Sequence, residues 1–256
     1  MNEQTFPLQV TQTTAMLIET LGHAVEGIYL YGSSVLGGLQ PKSDLDFLVV
    51  VNRALTLESK KNLIAHLLVL SGEIDNKQGK RYLEITLVNQ AELSQLTFPV
   101  YREFQYGEWL RDDYVKGYIP NVVKDEDLAI LLRKVRQNSL TLYGKEAEKV
   151  IPVISDSMFK DAILASLPHV LKEIEEDETN VILTLCRMYY SIQTGEIISK
   201  DQAVDAMLPL TPDVFKPLLI KAKASYLGKN KDSLDTDAVV LHQFATFIRN
   251  LIKSKK

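Results

Sequence analysis

A short segment near the N-terminus joins two apolar runs through a Gly-Ser turn and opens the second run with paired acids. The first run covers residues 28–31 and ends at Gly32-Ser33-Ser34, and the second covers residues 45–51. Short apolar runs bounded by turn residues predict buried β-strands. Asp44 and Asp46 stand two residues apart at the start of the second run. On a strand this spacing places both carboxylates on one face.

Two adjacent carboxylates repel each other unless a cation lies between them. A Mg²⁺ site of this kind uses one or two carboxylates together with substrate phosphates. Glycine lets the backbone approach a ligand closely, and successive turn amides at Gly32 and Ser33 form a concavity for anions. Asp44 and Asp46 alone would more often be solvated acids at a strand start. Together with the turn, they favour a site that binds a nucleotide and a metal ion.

This strand–turn–strand unit resembles the signature of the nucleotidyltransferase superfamily, in which Gly-Ser, a short spacer and Asp-apolar-Asp follow one another. The resemblance extends to one family, the aminoglycoside adenylyltransferases that inactivate spectinomycin and streptomycin, and it covers nearly the whole chain. The segments that carry it are 29–34, 37–39, 43–51, 102–111, 127–132, 180–188 and 194–201.

The resemblance implies that Glu84 is the catalytic base, that Asp44, Asp46 and Glu84 hold two Mg²⁺ ions, and that ATP is the co-substrate. From the pattern alone, Glu84 either faces solvent on an edge strand or points into a site. A base is chemically needed, because a sugar hydroxyl is a poor nucleophile and a carboxylate within hydrogen-bond reach can accept its proton. The metal would neutralise the leaving pyrophosphate.

The expected nucleotide contacts come from two sources. The turn amides of Gly32 and Ser33 would bind phosphate, and the resemblance adds four residues at nucleotide-contacting positions: Asp127, Arg187, Lys200 and Tyr226. Without the resemblance, a lysine at a helix start is most often solvated. An aspartate that starts a helix is most often an N-cap or a partner of the helix dipole, and this is compatible with a place near the nucleotide.

For the drug, the resemblance points to Glu84, Trp109, Asp177 and Asn180. Trp109 is the only tryptophan, and packing in the core or between domains is the alternative interpretation. Asp177 lies in the acidic run 175–178. There a solvated face or a helix cap is the alternative, although such a cluster could also hold an ammonium group of the drug.

The segment before Asp177 bears on the choice of drug. Dual-specificity members of the family carry a slightly longer segment here, with an Asp and a Trp, whereas this chain has only residues 168–176. The short form resembles enzymes that act on the 9-hydroxyl of spectinomycin, so we expect streptomycin not to be a substrate. The alternatives are a dual-specificity enzyme, nucleotide transfer to RNA or protein, and a non-catalytic regulator. A regulator would be expected to lose an acid of the site.

The composition excludes several classes of protein. Of 256 residues, 46% are apolar and 24% charged, as in ordinary globular domains. The net charge of −4 argues against a general nucleic-acid binder. A single cysteine, Cys186, excludes an internal disulfide, and its apolar helical setting predicts a core residue. With no signal peptide and no apolar run approaching ~18 residues, we expect a cytoplasmic protein that does not bind a membrane. We also expect a monomer that does not bind nucleic acid.

The periodicity changes along the chain. Strands are predicted at 27–32, 45–51 and 82–88 and helices at 8–25 and 57–71, whereas 101–118 has no clear period. Apolar spacing is helical at 125–142, 156–175, 178–194, 199–208, 212–227 and 234–253. We therefore expect two domains. Residues 1–155 would form an α/β nucleotidyltransferase domain, polymerase-β-like by resemblance, and residues 156–256 an all-α helical bundle that contacts drug and nucleotide.

Overall fold

The computed structural model describes residues 7–41, 43–73, 79–229 and 237–255. The chain divides into two compact units. The N-terminal unit comprises Met1–Leu39 and Ser43–Val153, and the C-terminal unit comprises Gln40–Lys42 and Ile154–Lys256.

Strands and helices alternate in the N-terminal unit. Its strands are β1 (Val25–Tyr31), β2 (Leu45–Val51), β3 (Leu83–Asn89), β4 (Val100–Arg102), β5 (Phe104–Gly107), β6 (Val123–Asp125) and β7 (Leu140–Gly144). Its helices are α1 (Leu8–Leu21), α2 (Leu57–Leu70), α3 (Gln90–Gln95), α4 (Arg111–Val115), α5 (Leu128–Gln137) and α6 (Ala147–Val150). Five strands form a mixed sheet in the order β5-β3-β2-β1-β7, while β4 pairs with β6. Only β2 and β3 run parallel among these pairs.

The sheet is buried on both faces. On one face, alternate residues of β2 such as Phe47 and Val49 pack in a core with Leu17 of α1 and Leu63 of α2. On the other face Leu48 is fully buried as well, and α5 packs against β1. Because strand side chains alternate, the even-numbered residues of β2 share the second face. That face therefore carries Asp46.

The predicted helix 125–142 is wrong at both ends. Residues 123–125 form β6, α5 covers only Leu128–Gln137, and residues 140–144 form β7. Asn138 leaves the helical conformation with φ −144° and ψ 83°, and the backbone then pairs with β1. A short apolar run such as Leu-Thr-Leu does not distinguish helix from strand by period, so sheet pairing decides. The segment without a clear period contains β4, β5 and α4.

The C-terminal unit is helical in its described part. Its helices are α7 (Asp156–Lys172), α8 (Glu178–Thr194), α9 (Lys200–Met207), α10 (Lys216–Tyr226) and α11 (Ala238–Lys253). Ser155 caps α7 and Asp177 caps α8, each by accepting a backbone N–H. Helix α8 packs against the other four, and Cys186 at its centre is fully buried, which confirms it as a core residue. No described helix has the length and apolarity needed to cross a membrane.

Candidate functional site

One row of residues crosses four neighbouring strands of the sheet. Tyr31 at the end of β1 pairs with Asp46, Asp46 pairs with Glu84, and Glu84 pairs with Gly107 at the end of β5. Directly paired residues on adjacent strands project to the same face, about 5 Å apart. The row therefore places the carboxylates of Asp46 and Glu84 side by side. Because β3 lies between β2 and β5, Glu84 is not on an edge strand, and that alternative is wrong.

Asp44 lies just before β2 and not on it, which corrects the expected strand position. Its neighbour Ser43 offers its carbonyl to Arg81 Nη1 at 2.7 Å, and ladder pairing begins only at Leu45, whose N–H donates to the Tyr82 carbonyl. The Arg81 backbone is itself held, because Gln9 accepts from its N–H at 3.0 Å and donates to its carbonyl at 2.7 Å. This support could not be predicted from the sequence, since its partners are far apart in the chain.

The Gly-Ser turn fits tightly against Asp46. Gly32 has φ +74°, a region that residues with a Cβ rarely adopt. A Cβ at this position would also overlap the Asp46 carboxylate. The Gly32 carbonyl accepts the N–H groups of Val35 and Leu36 at 3.2 and 2.9 Å, which closes a short 3-10 turn over residues 32–34. Glycine is therefore required here for two independent reasons.

Tyr31 and Lys134 extend this environment and were not predicted as site residues. Tyr31 is buried, and burial, followed by the nearby charges of Glu84 and Asp46, raises the pKa of its phenol well above the ordinary value. Lys134 of α5 places its ammonium group 4.9 Å from the Tyr31 ring centroid. A cation thus lies over the aromatic end of the acidic row.

Trp109 borders the opposite end of the row. It lies in the 3-10 turn Glu108–Leu110 directly after β5. A Cβ on Gly107 would collide with the indole ring, so the ring covers the position beside Glu84 on the same sheet face. The side chain is 56% exposed, and the interpretation of Trp109 as a core residue is therefore wrong.

Asp127 occupies the N-cap position of α5 but does not cap it, because its side chain accepts no cap hydrogen bond. Its own N–H donates to Asp125 Oδ1 at 2.9 Å, and Asp125 pairs with Arg102 at 2.5 Å. The Asp127 side chain is exposed.

Three of the predicted residues meet in the C-terminal unit, each from a different helix. Lys200, at the start of α9, donates its Nζ to Asn180 Oδ1 of α8 at 2.5 Å and lies 5.9 Å from the Tyr226 ring centroid of α10. Lys200 is partly buried and therefore differs from a fully solvated lysine. Asp177 accepts the Asn180 N–H at 3.3 Å and caps α8. Arg187 lies two turns further along the helix face of Asn180.

Asp44, Asp46 and Glu84 could supply only part of the ligands of a Mg²⁺ ion. Within the described residues, no group of three or more His, Cys, Asp or Glu is arranged to hold a metal by itself. Asp44, Asp46 and Glu84 therefore do not form a closed cage. Mg²⁺ prefers such hard oxygen donors and keeps waters or substrate phosphates in its remaining positions. The Gly32 turn adjoins Asp46, where phosphates would be bound. The donor set thus fits a metal shared with a bound nucleotide.

Two family models match the chain. A model described as nucleotidyltransferase domain covers residues 17–110, and one described as aminoglycoside adenylyltransferase, C-terminal domain, covers residues 149–251. The first range includes Asp44, Asp46, Glu84 and Trp109, and the second includes Asn180 and Lys200.

Relatives match over almost the full length of the chain. A spectinomycin 9-adenylyltransferase of Staphylococcus aureus is 38% identical over 97% of this chain and 95% of its own, and one of Campylobacter jejuni is 40% identical over 92% and 91%. An aminoglycoside (3'') (9) adenylyltransferase of Escherichia coli is 33% identical over 95% and 94%. The crystal structure of a spectinomycin adenyltransferase from Enterococcus faecalis, with ATP and spectinomycin, superposes with a TM-score of 0.90 at 36% identity over 96% and 98%.

Proposed function

The chain belongs to the aminoglycoside adenylyltransferase family, and on this premise we propose that it transfers AMP from ATP to the 9-hydroxyl of spectinomycin and releases pyrophosphate. The observation that carries the proposal is the pairing of Asp46 with Glu84 next to the Gly32 turn. This pairing supports the proposal because a carboxylate for the metal, a carboxylate for the base and a turn for the phosphates are all needed close together. Relatives named for this reaction, at 38–40% identity, support the choice of substrate.

Glu84 is the proposed base. It accepts the proton of the attacking drug hydroxyl as the bond to phosphorus forms. Asp44 and Asp46, with Glu84 beside them, would hold Mg²⁺, which supplies charge neutralisation for the triphosphate and the leaving pyrophosphate. The Tyr31 phenol stays protonated because burial and both carboxylates raise its pKa. Tyr31 therefore adds no negative charge to the row.

The triphosphate is the proposed ligand of the Gly32 turn and of Lys200. The turn amides at Gly32 and Ser33 offer N–H donors to phosphate oxygens. In the C-terminal unit, Lys200 supplies positive charge, and its hydrogen bond to Asn180 fixes the direction of its ammonium group. Arg187, Tyr226 and Asp127 are the further proposed nucleotide contacts. Transfer of this kind depends mainly on positioning and charge neutralisation, so few residues suffice.

The drug would bind against Trp109 and the acids. The largely exposed indole offers an apolar face next to Glu84, which suits the fused rings of spectinomycin. Asp177 and Asn180, at the start of α8, would accept or orient the ammonium and hydroxyl groups of the drug. The capping bond uses only Oδ1 of Asp177, and its side chain is exposed, so capping does not exclude this role.

Streptomycin is proposed not to be a substrate. Helix α7 continues through Pro168 to Lys172, and only a short turn separates it from the Asp177 cap. Streptomycin carries two guanidinium groups, and an unpaired, desolvated guanidinium costs several kcal/mol. In the turn, Glu175 pairs with His242 at 3.1 Å. Glu173 and Glu176 are the residues that could stand in for the missing acid of the longer segment.

Resistance in a sensitive bacterium tests this proposal. Cells that express the chain should survive spectinomycin but not streptomycin, and cells that express Glu84→Gln at the same level should survive neither. Wild-type protection equal to that of the variant would refute drug modification. Equal protection against both drugs would refute the proposed specificity. Since the reaction uses cellular ATP, we propose that it takes place in the cytoplasm.

A further inference from the structure

A buried carboxylate directly precedes Trp109 in the same 3-10 turn. Glu108 is 4% exposed, and its Oε2 accepts hydrogen bonds from Ser71 Oγ at 2.6 Å and from the Tyr106 hydroxyl at 3.1 Å. Its Oε1 pairs with Nε of Arg111. A buried charge is tolerated when it is paired and hydrogen-bonded in this way. All of these residues belong to the N-terminal unit.

The hydrogen-bond network around Glu108 joins the two strands that carry Glu84 and Gly107. Ser71 Oγ also accepts the N–H of Leu83, the first residue of β3 and the neighbour of Glu84 in the chain. Tyr106 directly precedes Gly107 at the end of β5. Glu108 itself precedes Trp109. One carboxylate therefore connects the end of α2, the start of β3 and the turn that holds the indole.

Arg111 links the Glu108 network to the backbone at the end of α2. Its Nη2 donates to the carbonyls of Leu68 at 3.0 Å and Ser71 at 3.4 Å, both near the end of α2. Burial, and then the Glu108 charge, raises the pKa of Tyr106 above its ordinary value, so its hydroxyl remains a donor. An amide in place of the Glu108 carboxylate would keep one acceptor oxygen and set an NH2 group against the remaining buried donors.

We propose that Glu108 is a positioning residue that holds the Trp109 indole beside Glu84 and thereby sets the affinity for the drug. The inference rests on the proposed function, because it assigns a drug contact to Trp109. Glu108 is buried, so it would act on the drug through the position of Trp109 and not by direct contact. It is expected to affect drug binding more than nucleotide binding, since the Gly32 turn and Lys200 are not part of its network.

The chain offers a matched control for this test. Glu103 is 5% exposed and pairs with Lys60 at 3.4 Å, and its Oε1 accepts the Leu55 N–H at 2.9 Å. It is an equally buried, ion-paired carboxylate in the same unit, but its ion pair and hydrogen bond go to Lys60 and Leu55 and not to the Trp109 turn. Glu108→Gln and Glu103→Gln should therefore lose comparable stability. Tyr106→Phe is a milder second variant, because its ring would keep the stack on Tyr114, whose centroid lies 5.0 Å away.

Trp109 is the only tryptophan, so its fluorescence reports its own mobility. Glu108→Gln should lower the steady-state anisotropy and raise quenching by acrylamide, and Glu103→Gln should not. In Glu108→Gln the KM for spectinomycin should rise about tenfold or more, with the KM for ATP unchanged. Tyr106→Phe should show the same changes at smaller size, and it decides the question if Glu108→Gln does not fold.

Two results would overturn the positioning role. One is a Trp109 anisotropy equal to that of the wild type in Glu108→Gln, or in Tyr106→Phe if Glu108→Gln does not fold. The other is a fall in anisotropy in Glu103→Gln as large as in Glu108→Gln. If the wild-type chain transfers no AMP to any drug, the proposed function fails, but the anisotropy comparison still decides whether Glu108 holds Trp109. A fall in anisotropy with an unchanged spectinomycin KM would refute the effect of Glu108 on drug affinity.

Discussion

Asp46 and Glu84 are direct neighbours on the parallel strands β2 and β3, although helix α2 and its flanking loops separate them in the chain. Parallel pairing with this register sets two carboxylates on one sheet face without any intervening side chain. Such a pair is stable only if cations or hydrogen-bond donors compensate the repulsion. In the proposed reaction the metal bound by Asp46 is therefore close to the base that accepts the proton.

The contact between Gly32 and Asp46 predicts a strong effect of adding one methyl group. Gly32→Ala should reduce adenylyl transfer by about a hundredfold or more, because its Cβ displaces the Asp46 carboxylate. Gly38→Ala is the matched control. Gly38 also has positive φ, +85°, but a Cβ there meets no atom within 4 Å. It should lose about 1 kcal/mol of stability through backbone strain and keep its activity. Equal rates in the two purified variants would show that the contact is unimportant.

Glu84 and Asp46 should differ in what their substitution removes. Glu84→Gln keeps the shape of the side chain, so it should retain binding of Mg-ATP and drug while the rate of transfer falls by roughly 10²–10⁴. Asp46→Asn removes charge next to the triphosphate and should weaken Mg-ATP binding. Calorimetry and single-turnover kinetics on both variants separate the two effects. Lost binding together with normal chemistry in Glu84→Gln would make Glu84 a binding residue instead of the base.

Lys200 is expected to contribute to nucleotide binding through its charge. Lys200→Ala should raise the KM for ATP about tenfold or more, because an ordered ammonium group is lost from the phosphates. Lys223→Ala is the control in the same unit, since Lys223 pairs with Asp205 at 2.6 Å and has no predicted role in the site. Similar KM values for ATP in the two variants would contradict the proposed contact.

The structure could be predicted from sequence where local pattern decides it. The Gly-Ser turn and the acids near β2 follow from short-range spacing, and the predicted fold class is confirmed by the matched domain models and the crystal structure of the relative. Whether Glu84 lies on an edge strand or an inner strand depends on the strand order of the sheet, which the sequence of one strand does not encode. The start of strand β7 was predicted as helix because residues 140–142 are too few to establish the alternation of a strand. The Glu108–Ser71 hydrogen bond was not predicted, since its partners meet only after the fold forms.

The buried thiol of Cys186 predicts a pH dependence of stability. Burial raises its pKa from 9.0 to about 12, so above pH 9 the unfolded chain releases a proton that the folded chain keeps. The free energy of unfolding should therefore fall as the pH rises from about 9 towards 12, by at most about 1.4 kcal/mol per pH unit for this one group. Urea unfolding at about pH 8 and pH 10 should show a smaller fall in Cys186→Ala. Identical falls in both proteins would contradict this contribution.

The identity of the product tests the central claim most directly. The purified chain, incubated with ATP, Mg²⁺ and either drug, should yield spectinomycin with one added AMP by mass, together with pyrophosphate, and no AMP adduct of streptomycin. Phosphorus–proton correlation by NMR should place the AMP on the 9-hydroxyl of spectinomycin, and Glu84→Gln should form the same adduct far more slowly. Absence of the adduct, AMP on another hydroxyl, or a streptomycin adduct formed at a comparable rate would contradict the account.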